Sequence, residues 1–146
     1  MQSQYKDLFF LQDFLSFLCE LNANCSHDGV KFRIVDWLKH HAFQAFAEYS
    51  IDEIIRVGSK GRVYRGRLDF YASRGDIQIV GEIDRSTPKK NSIKKCSKYP
   101  NALKVFLLRG SRIRPAETQR RIQDIENYLV VDLKGHEVIF SDVVKI

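Results

Sequence analysis

The sequence predicts an α/β domain, a mixed central β-sheet flanked by helices, on three observations. Two period-two stretches are joined by a turn, a helical segment separates two apolar strands, and a broad apolar stripe lies near the amino terminus. In the stripe, Phe10, Phe14, Phe17 and Leu21 recur at helical spacing with Leu11, Leu15 and Leu18 beside them, so residues 5–21 read as a helix with a wide face to bury. Either the domain core or a second subunit covers it. Residues 1–28 are therefore expected to be a helical extension packed on the domain or on a partner, with residues 29–146 forming the domain proper. Asn22 to Gly29 is a polar connector. Beyond it Phe32, Val35, Trp37, Leu38, Phe43 and Phe46 predict a second helix ending near Ala47.

The sheet is expected to begin with Tyr49 to Val57, and Gly58-Ser59-Lys60-Gly61 turns it into the strand Val63 to Tyr71. Ser73-Arg74-Gly75-Asp76 supplies turn chemistry, and Ile77 to Asp84 resumes the alternation. Arg85-Ser86-Thr87-Pro88 breaks the sheet. Lys89 to Tyr99 reads as a helix with Ile93 and Cys96 inward and lysines outward, closed by Pro100. Ala102 to Arg109 is a largely apolar strand, and the helical crossover before it favours a buried, parallel position. The core order is thus helix, three strands, helix, strand (αβββαβ). Pro115 to Asn127 follows as a helix with Ile122 and Ile125 inward, then Tyr128 to Leu133 and Glu137 to Phe140 as strands.

A chain of 146 residues with 44% hydrophobic and 12% aromatic content has the material for one packed core, which excludes a disordered chain. Cys19, Cys25 and Cys96 are an odd count without paired spacing, and no Cys-x-x-Cys or His-x-x-x-His suggests zinc. A reduced, cytoplasmic protein is expected. Asp7, Asp13 and Glu20 interrupt the opening apolar run, so neither a signal peptide nor a membrane span is predicted.

Charge is distributed unevenly. Between Arg56 and Arg112 stand fifteen Lys and Arg against four acids, whereas residues 1–55 hold four cations against eight acids. The net charge of +6 therefore comes from one segment. A polyanion, nucleic acid above all, is the implied partner.

The four acids of that segment include Asp69, on the first strand of the predicted hairpin, and Glu82 and Asp84 on the second. Glu82 and Asp84 are two apart and share a face, opposite Ile79 and Ile83, and strand pairing can set Asp69 level with or diagonal to them. Three carboxylates on one patch repel one another unless a proton or a cation compensates, and hard oxygen donors suit Mg2+ or Mn2+. Taken alone, acids at strand ends often only keep a sheet edge soluble. Acids inside a cationic segment point to more: the cations hold phosphates while a carboxylate-bound metal activates water.

An Asp in the second strand and Glu-x-Asp in the third, within this order of elements, resemble the restriction-endonuclease-like superfamily with its Asp…(Asp/Glu)-x-Lys signature. The resemblance covers about residues 29–110 and implies that residues 29–146 are a nuclease-like domain. It implies Asp69 and Glu82 as metal ligands with the Ile83 carbonyl assisting, and Glu48 or Glu53 as an additional upstream acid. The signature lysine should stand at position 84, where this chain has Asp84. Some branches recruit a lysine from the following helix. Lys95 is the first candidate here, with Lys94 behind it, and Asp84 could itself ligate a second ion. Arg65, Arg67, Arg85, Lys89, Lys90, Lys94 and Lys98 are the candidate phosphate contacts. The implied activity is metal-dependent endonucleolytic cleavage of DNA, duplex or branched, by a homodimer. The alternative is a catalytically inactive nucleic-acid-binding module on the same fold.

Overall fold

The computed structural model describes residues 8–61 and 63–144, apart from the side chains of residues 8, 52–56 and 63–65. Six strands form one sheet in sequential order: β1 (Gln44–Val57), β2 (Val63–Arg74), β3 (Ile77–Asp84), β4 (Leu103–Leu108), β5 (Tyr128–Asp132) and β6 (Glu137–Ser141). β1, β2 and β3 form an antiparallel meander, β3, β4 and β5 run parallel, and β6 returns antiparallel to β5. The sheet is mixed, open and helix-flanked. The two parallel steps need crossovers, supplied by α3 (Lys90–Cys96) and α4 (Pro115–Ile122) on one face. The other face carries α1 (Leu8–Cys19) and α2 (His27–His40).

The amino-terminal stripe is buried by the domain itself. Phe10, Leu11, Phe14, Leu18 and Leu21 join one core with Ile34 and Leu38 of α2 and with Ile83, Val105 and Val131 of the sheet. Full burial of a Leu or Phe stabilises by about 1.5–3 kcal/mol, and Phe14 and Leu18 are both wholly buried. Trp37 of α2 stacks on Phe14 and Phe17 at ring distances of 5.4 and 5.0 Å. Among the described residues no helix is long and apolar enough to cross a membrane, and all three cysteines are free.

Several boundaries differ from the sequence expectation: α4 ends at Ile122 rather than Asn127, and the two ends of α2 shift for local reasons. α2 starts inside the expected connector, because Ser26 caps it by accepting a hydrogen bond from the Gly29 N–H at 3.0 Å. It ends before Phe43, because Ala42 adopts φ 67° and the chain turns directly into β1. Phe43 still reaches the core, but from the strand side of that turn, while Phe46 is half exposed on β1.

The hairpin is closed by Gly75, whose φ of 59° meets the demand of a two-residue turn between the paired residues Arg74 and Ile77. At its far end the ladder stops at Phe70 opposite Gly81. The Phe70 ring lies over Gly81 so closely that a Cβ there would stand 1.9 Å from Cζ. Only glycine admits that ring. β1 is less regular, with slips in its pairing to β2 between Ser50 and Ile54 and between Ile54 and Arg56.

Candidate active site

The next residues beyond the Phe70 and Gly81 pair are Asp69 and Glu82, where β2 and β3 cease to pair. Their carboxylates fill the parting. Glu82 Oε2 accepts the Asp69 N–H at 2.8 Å, and Asp69 Oδ2 accepts the Ile83 N–H at 2.7 Å. Each acid thus satisfies a backbone N–H at the point where the ladder ends. Side chains two apart on a strand normally share a face, yet here the facing switches. Ala45 and Ala47 of β1 and Phe70 and Ala72 of β2 pack toward α1 and α2, whereas Tyr49, Ile51 and Leu68 pack toward α3 and α4. The switch falls at Glu48 and Asp69, which lie level across the β1–β2 pairing. Glu48 adopts φ 53°, a conformation that costs a non-glycine residue energy and that clusters at functional sites.

Helices bring basic side chains to these acids from both faces. From α3, the Lys95 ammonium pairs with Glu82 Oε1 and donates to the Arg67 carbonyl at 2.8 Å. From α2, His27 Nε2 lies 3.3 Å from Asp69 Oδ1. One turn later Lys31, only 2% exposed, holds Asp28 at 3.0 Å and Glu48 at 3.2 Å. Burial opposes its charge, but those two carboxylates win and hold its pKa above the usual lysine value. Glu82 is nearly fully buried, and burial, followed by the charge of Asp69, pushes its pKa up to about 8 against the opposing pull of Lys95.

Asp84 shares the α3 side with Glu82 but has other partners. Its Oδ2 accepts the Lys89 N–H at 3.2 Å, and Ser92 donates a side-chain hydrogen bond, so it caps the start of α3 in place of a side chain from Lys89. Burial raises its pKa, and these hydrogen bonds oppose the rise. Asp84 thus has hydrogen-bond partners of its own, while the charge of Asp69 also reaches it, and among the described residues no group of three or more His, Cys, Asp or Glu gathers as a metal cluster. The side chains of Arg65 and Glu53 lie outside the described residues. Arg67, Arg85, Lys89, Lys90, Lys94 and Lys98 are all exposed.

His27 and Lys31 are contributors that the sequence reading missed. Ser26 three residues before Gly29 was the available signal for a helix start, which would have aimed His27 from the first turn of α2. A helical lysine is ordinarily solvated, so nothing in one dimension marked Lys31 as buried.

No protein-family model matches the chain, and neither a curated protein nor a solved structure does.

Proposed function

We propose that the chain is a metal-dependent endonuclease on a restriction-endonuclease-like core, acting on DNA. The observation that carries this reading is the pair Asp69 and Glu82, held side by side in the strand parting with the Lys95 ammonium on Glu82. Two carboxylates and the Ile83 carbonyl would form a hard-oxygen donor set, and the charge of Asp69 beside the buried Glu82, which helps burial to raise its pKa, is a repulsion that a divalent cation would relieve. Two carboxylates also suffice, because Mg2+ commonly keeps waters and substrate phosphate oxygens for its remaining positions. The donor set fits Mg2+ or Mn2+. When bound, the ion supplies Lewis acidity to the scissile phosphate and lowers the pKa of the attacking water.

The chain's own residues do the rest. Lys95, anchored between the Glu82 carboxylate and the Arg67 carbonyl, orients the nucleophilic water and offsets the negative charge that builds on the phosphate, standing in for the lysine absent at position 84. Arg67, Arg85, Lys89, Lys90, Lys94 and Lys98 hold backbone phosphates on both sides of the acids. Two copies cut the two strands of a duplex or junction, each supplying one such site.

The test is cleavage of duplex, branched and single-stranded DNA with Mg2+ or Mn2+, alongside Asp69→Asn and Glu82→Gln. Metal-dependent cutting that both substitutions abolish, with binding retained, supports the reading. A second reading is a binding module without chemistry, favoured by Asp84 standing in the lysine position and serving as a cap for α3. Salt-sensitive binding with every substrate left intact would favour it.

A further inference from the structure

Three residues beyond Glu82, the basic excess continues to the carboxyl ends of the parallel strands β3 and β4. A cavity of about 330 Å³ opens there, lined by Arg85 after β3, by Arg109, Gly110 and Ser111 after β4, by Asn24 before α2 and by Lys134 of the β5–β6 turn. Three of these are cations, and no carboxylate lines the cavity among the described residues. None of Arg85, Arg109 and Lys134 is ion-paired among the described residues. The Arg109 Nε is buried and lacks a hydrogen-bond partner, a costly state for a guanidinium N–H unless something accepts from it.

The walls are built rather than incidental. The Arg109 N–H donates to the Asp84 carbonyl at 3.0 Å, Gly110 N–H to the Arg85 carbonyl at 2.9 Å, and Leu133 N–H to the Leu108 carbonyl at 2.9 Å. A Cβ on Gly110 would stand 2.8 Å from the Arg85 carbonyl oxygen, so only glycine allows the two loops this approach. The far wall is tied down by His136, whose Nδ1 lies 2.7 Å from the Cys19 carbonyl at the end of α1.

We infer that this cavity binds a phosphate monoester of nucleotide size. A monoester dianion matches three cations better than a singly charged diester does, and forked guanidinium donors suit phosphate oxygens. The volume lies at the lower end of the range of small-ligand sites. Resting on the nuclease reading above, the bound group is the terminal phosphate of a DNA strand, so the protein recognises an end as well as a backbone. Ser111 and the Asn24 amide add neutral donors around the same space.

The experiment is run in EDTA, so that cleavage plays no part. Binding of a short DNA strand carrying a 5′-phosphate, a 3′-phosphate or only hydroxyl ends is compared by fluorescence anisotropy, and a deoxynucleoside monophosphate and its nucleoside are titrated by calorimetry. One phosphorylated strand is expected to bind about tenfold tighter than the hydroxyl-ended one. Arg109→Gln should erase that preference, and Lys134→Gln, at an exposed position where folding is not at stake, should reduce it severalfold. If the monophosphate binds with the same dependence on both residues while strand ends bring no gain, the pocket stands and its ligand is a free nucleotide. If neither phosphorylated probe is preferred over its hydroxyl counterpart, or if the preference survives both substitutions, the proposal is overturned. Loss of metal-dependent cleavage in the test above leaves this readout untouched, so the two readings fail separately.

Discussion

Replacing Glu82 with glutamine should make the metal-free protein more stable at alkaline pH while destroying the site. In the folded chain Glu82 titrates at about 8, against an ordinary value of 4.5, so folding takes up a proton between those two pH values. Stability contributed by the protonated form is complete below about 4.5 and is lost as pH rises toward 8. Across that window each pH unit is worth about 1.4 kcal/mol, which sets a ceiling of about 5 kcal/mol on the whole effect. Asp84, also raised by burial, adds to the wild-type slope but cancels between wild type and variant. Urea unfolding from pH 4.5 to 9 in EDTA reads the difference directly. Wild type and Glu82→Gln should nearly coincide at the acid end and diverge above neutrality, with the variant the more stable. Saturating Mg2+ should then stabilise the wild type alone, by about 2.7 kcal/mol at a hundred times its Kd. Parallel wild-type and variant curves across the window would refute the buried-carboxylate argument.

Three other substitutions probe separate parts of the molecule. Lys95→Gln should lower metal-dependent cleavage by about 10²–10³-fold with DNA binding changed less than severalfold, the signature of a lost group that orients the water and stabilises transition-state charge, as measured by single-turnover cleavage against anisotropy. Gly81→Ala drives a methyl into the Phe70 ring and should cost about 3 kcal/mol in denaturant unfolding, with Phe70→Leu recovering part of the loss in a double-mutant cycle. Lys104, buried in β4, donates to the carbonyls of Pro100, Ala102 and Glu126 at 3.0, 3.1 and 2.9 Å, so Lys104→Met should lower stability by about 2–4 kcal/mol and lower the thermal midpoint accordingly.

The hairpin that carries the acids was legible because its alternation is local and its turn is marked by Gly75. The crossover strand β4 was legible because a largely apolar run follows a proline-closed helix, and Lys104 within it is buried. What stayed hidden depends on departures from periodicity. Phe43 and Phe46 continue the aromatic spacing of α2, and no single residue announces the left-handed turn at Ala42 that moves them into β1. The switch of facing at Glu48 and Asp69 breaks the rule of two by which the strands were read. Asp84 sits two residues from Glu82 on the same side, as expected, yet the start of α3 claims its carboxylate. A sequence shows which acids can meet, whereas the hydrogen-bond donors that compete for them emerge only after folding.

The irregular course of β1 also bears on how an exposed sheet edge avoids indiscriminate pairing. A fourteen-residue strand at the rim of a sheet would, if straight, offer an unbroken row of amides on which another chain could assemble. The left-handed residue at Glu48 and the slips between Ser50 and Arg56 interrupt that row. Straightening this strand by mutation would therefore carry a risk of fibrillation, even where the interior of the protein was untouched.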